Sequence, residues 1–380
     1  LQCPTEDSIA VVWAVGKPAA GFVEFGTGKD KLDQKAVGTV RGLNAYHSRY
    51  LTVRLEGLKP NTRYYYRTGT APLIFHTGHK LERQAEEYSN IYSFETPGEK
   101  KDIATFSVIN DTHNNQNTLK ELLMPKLAEV NSDYTIMNGD IVSSYDNSEV
   151  AVEAILRPGG AAYAAEKPML FVNGNHDHRG IWARELPLAA PVWKPETPDD
   201  VNLLGRNFAV RTGPVALLGL DTGEDKPDWH PAWSGLANFE PYRIAQRDWL
   251  ERTLQSPKVA TAPFVVAFCH IPIYNPDPKA NGGDVLEKWA SFQRNCGKLW
   301  GPVFTKYGVQ LVISAHIHQH KYYAPTEDRP WTHLTGGGHE PKGQVTVIHG
   351  KAQGDTLELV VDELNQKKEL GRWKFAARKV

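Results

Sequence analysis

Ile103-Ala104-Thr105-Phe106-Ser107-Val108-Ile109-Asn110-Asp111-Thr112-His113 reads as one strand that ends in two metal-binding side chains. An apolar, β-branched run stops at a carboxylate and an imidazole, so a sheet edge would present both. Four further segments repeat the arrangement. Tyr134 to Met137 leads into Gly139-Asp140, and Met169 to Val172 into Gly174-Asn175-His176-Asp177. Phe264 to Cys269 leads into His270, and Val309 to Ile313 into His316-Ile317-His318. Together these edges offer Asp111, His113, Asp140, Asn175, His270, His316 and His318, all oxygen or imidazole nitrogen donors. The set is too hard for a thiolate site and too large for one tetrahedral ion. It suits two adjacent ions of the zinc, manganese or iron type that share one carboxylate.

The bulk properties are those of a globular protein. The chain has 380 residues, enough for two domains, with 41% hydrophobic and 23% charged residues. A net charge of -1 recruits neither nucleic acid nor anionic lipid. No apolar run reaches the roughly 18 residues that a spanning helix needs. The chain starts at Leu1, within what reads as a strand. The expectation is that the native N-terminus, with any signal peptide, is missing. Cys3, Cys269 and Cys296 do not make a disulfide framework. Cys269 reads as a buried small hydrophobe, and Cys3 as either paired or free.

Residues 1–98 read as an all-β sandwich and residues 99–380 as an α/β domain. Short alternating strands are expected over Ser8 to Val15, Gly21 to Phe25, Tyr50 to Leu55 and Thr62 to Arg67, separated by Gly/Pro turns. His47, Trp13 and the tyrosines of this part read as packing residues, and Leu73 to Tyr92 as a polar surface hairpin or loop. After Thr96-Pro97-Gly98, strands alternate with helical patterns over Leu119 to Val130, Glu149 to Leu156, Gln246 to Leu254 and Val285 to Tyr307. Gln344 to Ile348 and Thr356 to Val361 are expected to close the sheet.

In order and content the five strand-end segments resemble the calcineurin-like metallophosphoesterases, which read DxH, GDxx, GNH(D/E), H and GHxH. The resemblance runs from about Lys101 to His339. One position departs: Ala315 stands where the last motif has Gly. Leu55-Glu56-Gly57-Leu58-Lys59-Pro60-Asn61-Thr62-Arg63-Tyr64-Tyr65-Tyr66 resembles the fibronectin-III-like domain that precedes the catalytic domain of purple acid phosphatases. That family has GDxxY, with the Tyr ligating a ferric ion, and DxG. Here Ser143 replaces the Tyr, and His113 supplies a donor instead.

The resemblance implies a central β-sandwich flanked by helices, with two divalent or mixed-valence ions (Fe, Mn or Zn) above the strand ends. One ion would take Asp111, His113 and His318, the other Asn175, His270 and His316, and Asp140 would bridge them. The implied activity is hydrolysis of small phosphate esters, foremost monoesters, by a metal-bridging hydroxide. Alternatives are a phosphodiesterase or nucleotide hydrolase, and a non-catalytic binding protein on the same fold. His176 is the candidate donor of a proton or hydrogen bond to the leaving oxygen, or else a support for Asn175 or Asp140. Asp177 would orient His176 or cap the loop. Asn114, Asp146, His178, Arg179, Tyr274 and His339 are further polar residues of site loops, with His339 read as touching substrate or as exposed. Asp221 reads as a structural loop carboxylate. A secreted or periplasmic location is expected, and no oligomeric state is inferred.

Overall fold

The structure, a computed structural model, describes residues 1–40, 42–194, 204–274 and 293–379. Residues 285–292 of the expected helix over Val285 to Tyr307 lie outside the described residues. The following residues turn through Gln293–Gly297 into the helix Lys298–Lys306.

The N-terminal part is all β, built on period-two burial. Ala19–Gly26 pairs antiparallel with Arg63–Thr77 on one side and Gln34–Val37 on the other. Ser8–Ala14 pairs with Tyr50–Glu56. Ile9 and Val11, Val23 and Phe25, Val53 and Leu55, and Tyr64 and Tyr66 each sit two apart on a strand, and together they fill one core with Phe94. Arg63–Thr77 overruns the expected strand and folds back on Lys80–Arg83 as an exposed hairpin. His76 there pairs with Glu82 at 3.0 Å.

This part is fastened to the rest of the chain. Tyr66 Oη donates to Ala165 O at 2.6 Å, Arg54 Nη2 to Val192 O at 2.8 Å, and Thr52 Oγ1 to Leu188 O at 3.0 Å. The Tyr50 ring meets Trp182 edge-on at 6.0 Å within a core of residues from the second part of the chain. A chain starting at Lys100 is therefore expected to unfold at a lower temperature than the full chain, because Trp182 and its neighbours lose this cover. Thermal unfolding of the two, with metal content, checks this; equal melting temperatures would contradict it.

Two six-stranded sheets pack face to face in the second part. One runs Met169–Val172, Tyr134–Asn138, Ile103–Ile109, Thr346–Gln353, Thr356–Glu363, Lys368–Ala376. The other runs Phe208–Thr212, Val215–Leu220, Phe264–Cys269, Leu311–Ser314, Thr332–Thr335, Lys321–Tyr323. Phe106 and Val108 face Phe264, Val266, Phe268, Leu311 and Ile313 between the sheets, and Phe106 meets Phe268 edge-to-face at 5.8 Å. The outer faces are covered too. Ile109, Met137 and Phe171 pack with Leu119, Leu123 and Ile155; Leu218, Val265 and Val312 pack with Trp249, Leu250, Leu254 and Trp300. Burial on both faces is why these strands read as continuous apolar runs. Among the described residues no helix is long and apolar enough to cross a membrane. The described cysteines are all free and buried, which leaves Cys3 unpaired.

Candidate metal centre

Parallel pairing brings the strand ends together. Ile103–Ile109, Tyr134–Asn138 and Met169–Val172 are parallel neighbours, as are Phe264–Cys269 and Leu311–Ser314 in the facing sheet. Their C-terminal loops meet above one edge of the sandwich. His318 Nε2 lies 3.3 Å and His270 Nε2 3.8 Å from Asp111 Oδ1. Asp140 Oδ2 lies 3.2 Å from His270 Nε2, 3.8 Å from His113 Nε2 and 4.0 Å from His176 Nε2. Three overlapping sets could each hold an ion: Asp111, His113 and His318; His113, Asp140 and His176; Asp140, His270 and His316. Asn175 is buried at the same strand end.

The loops are stapled to one another. Asp111 N–H donates to Gly139 O at 3.0 Å, His113 N–H to Asp140 O at 3.0 Å, and Ala315 N–H to His270 O at 2.7 Å. Asp140 Oδ1 accepts from His176 N–H at 2.8 Å, and Asp111 Oδ2 from His316 N–H at 2.9 Å. Asp111, His113, Asp140, His316 and His318 all have φ between 46° and 68°. This left-handed backbone costs on the order of 1–3 kcal/mol per non-glycine residue and persists only where the surroundings enforce it. Ala315 is not among the positive-φ residues, so no glycine is needed there. Gly139 is needed: at φ 84° any Cβ would run into the His270 ring.

The protonation pattern calls for a cation. Burial pushes the Asp111 and Asp140 carboxyls up, but His270 beside both outweighs it and holds them below the ordinary range. Burial lowers His113 and His316 to about 4, so both rings are neutral at neutral pH. For His270 burial is overcome by Asp140 and Asp111, which raise it to about 10. The two carboxylates thus draw a proton and its positive charge to His270 Nε2, and a bound ion would stand in place of that proton. His270 Nδ1–H donates to Asn138 O at 2.8 Å, which aims Nε2 at the cluster. Asp111 Oδ1, His113 Nε2, Asn175 Oδ1 and His270 Nε2 are all buried without a hydrogen-bond partner. Orphaned buried polar atoms are rare, and four on neighbouring donor residues fit a metal-binding role.

Two expectations lose one of their alternatives, the orienting of His176 by Asp177 and the exposure of His339. Asp177 does not face His176. Its Oδ2 accepts from Asp140 N–H at 2.9 Å and Gly174 N–H at 2.8 Å, and its Oδ1 from Tyr145 Oη at 3.4 Å. It therefore ties two ligand loops together. His339 is not exposed. It is buried, its Nδ1–H donates to Asp111 O at 2.9 Å, and its ring lies 5.0 Å from His113. Sequence reading also passed over Asn110, whose Nδ2 donates to Asp111 Oδ2 at 2.8 Å. The clue was the glycine run before His339: a Cβ on Gly336 would strike Asn110, so the run serves close approach. Arg179 touches His176, with Nη1 2.9 Å from Nε2, and three other loop residues make their contacts outside the ligand sets. Asp146 bonds Ser144, Asn114 contacts Glu153, and Tyr274 packs against Tyr323 and Trp331. Asp221 is structural as expected, accepting from Gly223 N–H at 2.7 Å and lying 3.1 Å from His178 Nε2.

Comparison with known proteins agrees with this architecture. Residues 104–320 match the profile of the calcineurin-like phosphoesterases, and residues 1–96 that of the purple acid phosphatase N-terminal domain. A probable purple acid phosphatase 20 of Arabidopsis thaliana is 25% identical over 334 residues, covering 84% of this chain and 66% of the relative. Purple acid phosphatase 21 of the same plant is 23% identical over 314 residues, covering 80% of this chain and 61% of the relative. The chain thus spans just under two thirds of the length of these relatives. In fold, it is similar to purple acid phosphatase PPD1 from yellow lupin (Lupinus luteus), with a TM-score of 0.69 and 15% identity over 99% of this chain and 73% of that one. PhoD follows at 0.56, with 13% identity over all of this chain and 91% of that one.

Proposed function

The chain belongs to the calcineurin-like phosphoesterase family, and on that premise we propose that it hydrolyses small phosphate esters, foremost monoesters, with two metal ions. The observation that carries this is the set of orphaned donor atoms, Asp111 Oδ1, His113 Nε2, Asn175 Oδ1 and His270 Nε2, around two buried carboxylates. Asp111, His113 and His318 would hold one ion, Asn175, His270 and His316 the other, with Asp140 shared. Iron, manganese or zinc suits these donors. Bound ions supply Lewis acidity toward phosphoryl oxygens and acidify water.

The protein's own residues do the rest. Asp177 and Asn110 lock the Asp140 and Asp111 loops, so the donors need no reorganisation. His339 braces the backbone carbonyl of Asp111. His176 Nδ1–H is spent on Ser143 O at 2.7 Å, and Nε2 meets Arg179 Nη1 at 2.9 Å, so Nε2 would serve the leaving oxygen only when it carries a proton and releases Arg179. A secreted or periplasmic location and a fibronectin-III-like identity for the N-terminal sandwich belong to the same reading, supported by the match over residues 1–96.

Metal analysis of pure, metal-replete protein together with turnover of p-nitrophenyl phosphate tests the proposal. Two ions and turnover are expected; an inactive protein with fewer ions would sink it. The protein should also be nearly colourless with iron bound. Ser143 stands where a phenolate would sit, beside His113 Nδ1 at 3.3 Å, and Tyr145 turns its hydroxyl to Asp177. An intense visible absorption band of the iron-loaded protein would contradict this ligand set.

A further inference from the structure

One cation stands at the mouth of the cluster outside the ligand set. Arg179 N–H donates to His176 O at 3.0 Å, and Arg179 O accepts from Tyr145 N–H at 2.8 Å, so its backbone is held on both sides. Two carboxylates grip the guanidinium. Nε donates to Glu224 Oε1 at 2.5 Å, while Nη2 reaches Glu224 Oε2 and Asp225 Oδ1, each at 3.1 Å. Glu224 is fully buried. Nη1 turns away from both acids and meets His176 Nε2 at 2.9 Å. Because Ser143 O takes the Nδ1–H of His176, Nε2 offers a lone pair, and Nη1 spends one of its two N–H groups there.

The surroundings place that group on the open side. The side chains of His113, His318, His176 and Arg179 are 10, 21, 27 and 24% exposed, whereas those of Asp111, Asp140 and His270 are 0–2% exposed. A substrate approaching from solvent would meet the former four first. A purely structural ion pair accounts for the Nε and Nη2 edges of Arg179. His176 accounts for one N–H of Nη1, and the second N–H of Nη1 is the one assigned to neither the acids nor the imidazole.

We propose that Arg179 Nη1 binds a non-bridging oxygen of the substrate's phosphoryl group and makes the site favour phosphate monoesters over diesters. This rests on the phosphoesterase reading above. A monoester has three non-bridging oxygens and up to two negative charges, so one oxygen remains for Arg179 when the others face the metals. A diester puts its second ester group in that place and forfeits the charged hydrogen bond. Arginine suits the task because its planar fork can be gripped on two edges while a third stays presented. Glu224 and Asp225 are then positioning residues. Lys226, 2.5 Å from Asp225 Oδ1, offsets the second acid.

The test uses the metal-loaded full chain. Arg179→Gln should lower kcat/KM for p-nitrophenyl phosphate by about tenfold or more, chiefly through KM, and weaken inhibition by inorganic phosphate similarly. Turnover of bis(p-nitrophenyl) phosphate should change much less, and both metals should stay. Glu224→Gln, which loosens the grip, should move the same quantities the same way by less, and decides the matter if Arg179→Gln does not fold. An equal loss for both esters, or an unchanged monoester KM and phosphate inhibition, overturns the proposal. If the wild type hydrolyses neither ester, the phosphoesterase reading fails instead. Calorimetric binding of inorganic phosphate to wild type and Arg179→Gln then still decides the role of Arg179.

Discussion

Asp140→Asn is expected to empty the metal pair and to cut phosphate-ester turnover by at least ~10²–10³-fold, the scale of losing a central electrostatic element. Asp140 is buried and lies within 4.0 Å of three imidazole nitrogens through one oxygen, Oδ2. The other oxygen holds the His176 backbone, and Asp177 holds the Asp140 backbone. Asparagine keeps the shape and those backbone bonds, so the fold should survive. What goes is the negative charge that offsets the repulsion of two neighbouring dications. Elemental analysis and kcat on an aryl phosphate are the measurements. A variant holding two ions at near wild-type turnover would refute the shared-carboxylate arrangement.

His176→Ala should behave differently: both ions retained, turnover lower by ~10²–10⁴-fold for esters of poor leaving groups, and less for activated aryl esters. His176 belongs to neither proposed three-donor set, and its Nε2 lies 4.0 Å from Asp140 Oδ2, too long for a hydrogen bond. Removing the ring costs no ligand in that assignment. An aryl leaving group needs little protonation, so it should tolerate the loss. Rates across esters of graded leaving-group pKa, with metal counts, read this directly. Loss of metal, or equal slowing across the series, would make His176 a structural support.

The seven candidate donors at strand ends and the alternation of strands with helices were legible without coordinates, while the two-layer sandwich came from the family resemblance. Strands buried on both faces read as unbroken apolar runs, as in Phe264–Cys269, and the polar side chain that ends each run stands out by contrast. The N-terminal sandwich was legible through its two-residue alternation, as in Tyr64 and Tyr66. Lys368–Ala376 was missed because it is an edge strand with charged residues between Leu370, Trp373 and Phe375, and half-buried strands of that composition resemble loops. The roles of the supporting residues depended on distance in space. His339 reaches Asp111 across 228 positions, Asp177 ties down a loop 37 positions earlier, and Arg179 is gripped by Glu224 45 positions later. Donor chemistry and strand ends are local properties, so the sequence alone determined which residues are candidates to bind metal. Which histidine is buried, which carboxylate staples a loop and which cation faces the opening depend on the pairing of distant segments, and only the tertiary structure decided them.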